Sequence, residues 1–267
     1  CFYNSKDVEF LDLTSPSGMR VYERSLFLVL AKAVEDVFPG GRLIMGAPLC
    51  GGHYCELFIG RRVSKDDIKA LDHRMREIVE ADMNIHRVQC PIEEAIAMFR
   101  AKGMESKALL LEEQGNLYTY YYRLGDTIDY FYSCLLGSTG KLKTFELTSL
   151  PVPEQGGLSP VQSEEGVGLL LRTPSLSNPN ELAPIKPEYK MLDVIREHHR
   201  WQNILGVSTV GELNAAVRQG RATELINVSE ALQEKKIVKI AEEIETRYHR
   251  DGVRVVLITG PSSSGKT

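Results

Sequence analysis

Between Ser25 and Phe38 the apolar positions Leu26, Val29, Leu30, Ala33, Val34 and Val37 recur at three- and four-residue spacing. That period predicts an amphipathic helix, ended by Pro39-Gly40-Gly41. Short strand-like runs follow at 42–45 and 54–59, with Gly51-Gly52 as the turn between them. Ser64-Lys65-Asp66-Asp67 has the form of a capping box with Asp in the Glu position. It opens a helix with Ile68, Leu71, Met75, Ile78 and Val79 on one face. Residues 85–89 read as a strand and 91–101 as a helix with Pro91 in its first turn. Further β-rich runs fall at 108–111, 117–123, 127–132 and 144–150. Prolines then punctuate the chain from Pro151 to Pro187 around one clear strand at 167–171, the pattern of a connector. Beyond it the pattern turns helical: 189–205, a second helix opened by the capping box Thr209-Val210-Gly211-Glu212, and a third over about 222–248. Val253 to Ile258 is an unbroken β-branched and apolar run, as expected of a strand buried on both faces. The predicted class is α+β, with a compact domain over about 25–152. No internal repeat is visible.

Composition narrows the class without naming a function. The 267 residues are 43% hydrophobic and 25% charged, so a core of useful size can be built. A net charge of -4 argues against wholesale coating of nucleic acid, though a local basic patch is compatible with it. Five scattered cysteines suit reduced thiols and a cytoplasmic setting better than a disulfide framework. No apolar run approaches the roughly 20 residues of a membrane helix, so no membrane partner is expected. The first residue is Cys1 rather than Met, and the last eight open a motif that needs a helix after it, so both ends read as cut.

The chemistry with the sharpest signature lies at Gly260-Pro261-Ser262-Ser263-Ser264-Gly265-Lys266-Thr267, which matches G-x-x-x-x-G-K-[ST]. A polyanion wrapped by backbone N–H groups needs glycines where a Cβ would block approach. A lysine then reaches the β- and γ-phosphates and a neighbouring hydroxyl holds Mg²⁺. The four fixed positions arise by chance in about one chain in a hundred of this length. The strand expected at 253–258 stands where the motif requires one. On this reading Gly260 to Gly265 cradle the phosphates of ATP, Lys266 stabilises their charge and Thr267 ligates Mg²⁺.

Residues 221–267, with Glu230-Ala231-Leu232-Gln233-Glu234-Lys235-Lys236-Ile237, Ala241-Glu242-Glu243-Ile244 and then Val256 to Thr267, resemble the entry to the kinase domain of bacterial uridine kinase-like nucleoside kinases. Some of those proteins carry, ahead of the kinase, domains similar to the N-terminal half of threonyl-tRNA synthetase. Residues about 25–147 resemble the editing-type second domain of that synthetase in the order of Leu28 to Val34, Gly51-Gly52-His53-Tyr54, Met75-Arg76-Glu77-Ile78-Val79, Ile85-His86-Arg87, Glu93 to Phe99 and Ser138 to Lys143. The resemblance divides the chain into the end of a small ubiquitin-like TGS domain (1–24), a degenerate editing-like domain (25–152), a connector with one strand (153–187), a helical segment (188–250) and the start of a P-loop kinase domain (251–267). It implies a parent that transfers the γ-phosphoryl of Mg·ATP to the 5′-hydroxyl of a nucleoside such as uridine or cytidine. The catalytic base and nucleoside pocket would lie beyond residue 267, and this piece alone is expected to bind nucleotide negligibly. An RNA or amino-acid-like ligand on the editing-like domain and homo-oligomer contacts are left open. The alternative is a tRNA-binding or aminoacyl-tRNA-handling module without editing hydrolysis.

The departure from the synthetase pattern is informative. The family's editing site uses a His-x-x-x-His pair on the first helix and a Cys-x-x-x-His pair later. Here the resemblance sets Leu28 and Lys32 at the first pair and Phe131 and Leu135 at the second. Neither a metal site nor an acid–base site can be built from these four, so no zinc and no editing hydrolysis are expected. Cys50-x-x-His53-x-Cys55 invites a zinc reading but has no second ligand pair nearby. Tyr118, Tyr120, Tyr121 and Tyr122 read as sheet packing, with base stacking as the alternative. Trp201, after His198-His199-Arg200, reads as a part-buried helix anchor. Arg61, Arg62, Lys65 and Lys69, offset by Asp66, Asp67 and Asp72, read as a solvated helix edge.

Overall fold

The computed structural model describes residues 9–150 and 166–260. The first helix, α1 (Pro16–Val37), starts nine residues before the predicted Ser25, inside the stretch assigned to a preceding domain. Its start is specified locally: Ser15 accepts the Gly18 N–H as N-cap, and Pro16 sits where a missing N–H costs nothing. Gly18 is needed there because a Cβ would lie 1.9 Å from the Asp12 carbonyl oxygen.

A hairpin of β1 (Arg42–Leu49) and β2 (Gly52–Phe58) follows, turning through Cys50 and Gly51, both with positive φ. The capping box at Ser64 and Asp67 forms as predicted and opens α2 (Lys65–Glu80). Then come β3 (His86–Pro91), α3 (Ile92–Ala101), α4 (Glu105–Glu112), β4 (Tyr118–Leu124), β5 (Thr127–Asp129) and β6 (Glu146–Ser149). Residues 108–111, predicted as a strand, form part of helix α4. Ala108 and Leu111 are three apart and both buried against Phe99 and Ala95 of α3, a helical match that outweighs the β-like composition.

The strand of the predicted connector is β7 (Gly166–Arg172), and it is no connector element. It lies between β2 and β6 in an antiparallel sheet of order β1-β2-β7-β6, while β3-β4-β5 form a second antiparallel sheet. Its unbroken run Val167–Leu171 is explained by cover on both sides. Val167, Leu169 and Leu171 join Cys55, Leu57, α1 and α2 in the main core. Leu170 joins Tyr54, Leu49, Leu150 and Leu192 in a second one. Gly168 makes room for Tyr54 and Leu150, whose atoms would lie 3.0 and 2.7 Å from a Cβ.

The chain divides into two units, 1–195 and 196–267, with the boundary inside α5 (Tyr189–Leu205). The second unit contains the rest of α5, α6 (Val210–Arg218), opened by the predicted Thr209–Glu212 capping box, and α7 (Ala222–Asp251). There Lys236 bonds Glu197 and sits over the half-buried Trp201 ring.

Gly252, at φ 68°, ends α7, and Val253 to Ile258 form no strand. Leu257 and Ile258 are 88% and 80% exposed. A strand buried on both faces needs hydrogen-bonded neighbours, and the described residues offer it none. Val255, Val256 and Leu257 instead line a groove of about 560 Å³ with Ile240 and Ile244 of α7. No helix among the described residues is long and apolar enough to cross a membrane.

Candidate functional site

The four positions that the synthetase resemblance marks out lie on or against the main core of the first unit. Leu28 is fully buried in that core, and Phe131 and Leu135 pack on it. The segment after β5 is tied to α1, where the Leu136 N–H donates to Ser25 Oγ at 2.9 Å, and to β4, where the Tyr122 hydroxyl donates to the Ser133 carbonyl at 3.2 Å. Phe131 meets the Tyr122 ring edge-on, with centroids 6.0 Å apart. Three of the four positions are thus filled by packed hydrocarbon, and the fourth is Lys32.

Lys32 stands one turn beyond Leu28 on α1, as spacing of four residues requires. It is buried, and its Nζ lies 3.1 Å from Asp36 Oδ1 and under the β4–β5 turn, where a Cβ on Gly125 would approach Nζ to 3.4 Å. Asp36 is shared with Arg74 of α2 at 3.0 Å, and Arg74 also reaches Glu77 at 2.8 Å. Beside it Thr127 Oγ1 donates to Glu35 at 2.5 Å. This network ties α1, α2 and the β4–β5 hairpin together. It presents neither an open nucleophile nor a metal-ligand set.

The pleat sets His53 and Cys55 on the same face of β2, while the turn residue Cys50 lies apart from them. Cys50 packs in the second core while Cys55 packs in the main one. Burial pushes the Cys55 thiol up to about 12, which makes it inert. His53 points to α1, with Nε2 3.3 Å from Glu23 Oε1 and its ring 4.8 Å from Phe27. Among the described residues no group of three or more His, Cys, Asp or Glu side chains is placed to hold a metal ion.

The tyrosines of β4 divide by face. Tyr122 is buried and Tyr121 packs toward α3 and α4, as sheet packing predicts. Tyr118 and Tyr120 are 58% and 39% exposed, outside either core. They share one face of the sheet with Tyr122 and, across the ladder, with Pro91, Gln89 and Arg87. The division by face follows strand alternation, while which members extend past the cover of α1 depends on where that helix lies. Arg61 and Asp67 pair at 2.7 Å on the α2 edge, a solvated pair as expected.

Of the phosphate-loop residues, Gly260 is described; Pro261, Ser262, Ser263, Ser264, Gly265, Lys266 and Thr267 lie outside the described residues. The strand that should precede them is not formed, so the described residues do not supply the framework an ATP and Mg²⁺ site needs.

No protein-family profile matches the chain. Curated relatives do. The threonine–tRNA ligase of Rubrobacter xylanophilus is 31% identical over 144 residues, 54% of this chain and 22% of the ligase. That of Syntrophotalea carbinolica is 34% identical over 146 residues, 54% of this chain and 23% of the ligase. That of Nitrosococcus oceani is 32% identical over 138 residues, covering 50% and 21%. The chain spans about a fifth of the length of the curated relatives it matches. An α+β unit of two antiparallel sheets, with the marked positions filled by packed side chains, is thus distantly related over about half of the chain to threonine–tRNA ligases.

Proposed function

We propose that the first unit is a non-hydrolytic tRNA-handling module, derived from the editing-type domain of a threonyl-tRNA synthetase and kept for binding. The observation that carries this reading is the fate of the four marked positions. Leu28, Phe131 and Leu135 belong to or pack on the main core, and Lys32 is engaged by Asp36. Hydrolysis of an ester needs a positioned base or an activated water, and this arrangement offers neither. The test is a mobility-shift titration of the chain against threonine tRNA at several salt concentrations, together with a deacylation assay on serine-charged threonine tRNA. Binding that weakens as salt rises, with no deacylation above background, is expected. Absence of binding at about 50 mM salt would sink the reading.

A second reading rests on the residues 260–267 alone: an ATP-dependent nucleoside kinase joined to that module, with Lys266 and Thr267 in the roles given above. The full natural polypeptide, given labelled Mg·ATP and a panel of nucleosides, should then yield a nucleoside 5′-phosphate that Lys266→Ala abolishes. Equal turnover by wild type and variant, or none by either, rules it out.

A further inference from the structure

We infer that Tyr118 and Tyr120, with Arg87 and Gln89 opposite them, form a stacking shelf for unpaired RNA bases. This rests on the tRNA reading above and names the surface that reading lacks. Antiparallel register pairs Gln89 with Tyr120 and Pro91 with Tyr118, which sets these side chains on one face. The same face continues inward to Tyr122 and Phe131, where α1 covers it. Beyond that cover the Tyr118 ring is mostly open to water and the Tyr120 ring is partly so, although aromatic side chains on a strand ordinarily bury their area.

Three features favour a nucleobase over an apolar partner. The two residues stand about 7 Å apart along the strand, the spacing at which one base plane fits between neighbouring rings. The Arg87 guanidinium carbon lies 3.9 Å from the Tyr120 ring centroid, which holds that ring in place on one side and supplies a cation for a phosphate or a base. The rest of the face is polar at Gln89, able to donate to and accept from a base edge. Glu93 and Glu94 open α3 just past Pro91, so phosphate attraction is local to Arg87 and stacking supplies most of the affinity. Sequence-tolerant capture of a single strand follows, because every base has a π face.

The test is fluorescence anisotropy of a labelled, unpaired mixed-sequence RNA hexamer titrated with the whole chain. Tyr118→Ala and Tyr120→Ala should each weaken binding at least about fivefold, and the double variant more. Tyr118→Phe and Tyr120→Phe should bind as wild type, since the ring is kept. A blunt RNA duplex should not compete. Photocrosslinking of a 5-iodouridine hexamer to the wild-type chain should map to the peptide carrying 118–120, a readout independent of whether the alanine variants fold. No hexamer binding, unchanged affinity of the double variant, or crosslinks only elsewhere overturns the shelf. If the double variant still binds whole tRNA as wild type does, the shelf fails and the tRNA reading stands. If wild type does not bind whole tRNA, that reading fails and the hexamer titration still decides the shelf.

Discussion

At the scale of single residues, the marked positions now act as packing, and their substitution should read out as stability. Leu28→Ala empties a fully buried site and is expected to cost about 2–5 kcal/mol in urea unfolding. Asp67 behaves oppositely to a core residue, through charge. The Arg61 guanidinium, together with Ser64, holds its carboxyl well below the usual range. A folded-state value below the unfolded one means that the Asp67 bonds stabilise the chain at every pH above the unfolded carboxylate value near 3.9. That contribution is lost only as pH falls through the lower, folded value. The urea midpoint of Asp67→Asn should therefore lie below wild type by a constant amount from pH 7 to about pH 5 and converge with it in stronger acid. Thiol chemistry separates the cysteines as cleanly. At pH 8, alkylation with peptide mapping should label the exposed Cys134 in the native chain, while the buried Cys50, Cys55 and Cys90 react only in denaturant.

At the scale of elements, start signals were the most legible part of the sequence. Both capping boxes, at Ser64 and Thr209, form where the residues placed them. Ser64→Ala should cost about 1 kcal/mol by urea unfolding. Short apolar runs were illegible because period alone does not separate a buried helix turn from a strand, and 108–111 became part of α4 through its contact with α3. The start of α1 was missed although Met19 and Tyr22 extend the period back from Leu26 and Ser15-Pro16 supply a cap. For the site, spacing told which residues share a face of α1. It could not tell that Arg74 of α2 shares Asp36 with Lys32, nor that Tyr118 and Tyr120 outreach the helix covering Tyr122, because both depend on chain segments far away in sequence.

At the scale of the whole molecule, the placement of β7 redraws the first unit, since a strand read as part of a connector is an inner strand of its sheet. A chain ending at residue 150 should fail to unfold cooperatively by circular dichroism, whereas one ending at residue 195 should keep a single urea transition. The same placement matters during synthesis. As the polypeptide leaves the ribosome, β1, β2 and β6 are all out before β7 exists, and β2 and β6 then face each other across an empty slot one strand wide. Each bordering edge offers unpaired amides and carbonyls to any extended segment nearby. Closing the slot brings residues 52–58 together with residues more than a hundred positions later, a long-range pairing that forms slowly. Nascent chains should hence depend on chaperone shelter until Arg172 has emerged, and a pause in translation shortly before that point would lengthen the interval in which a neighbouring chain can take the vacant place.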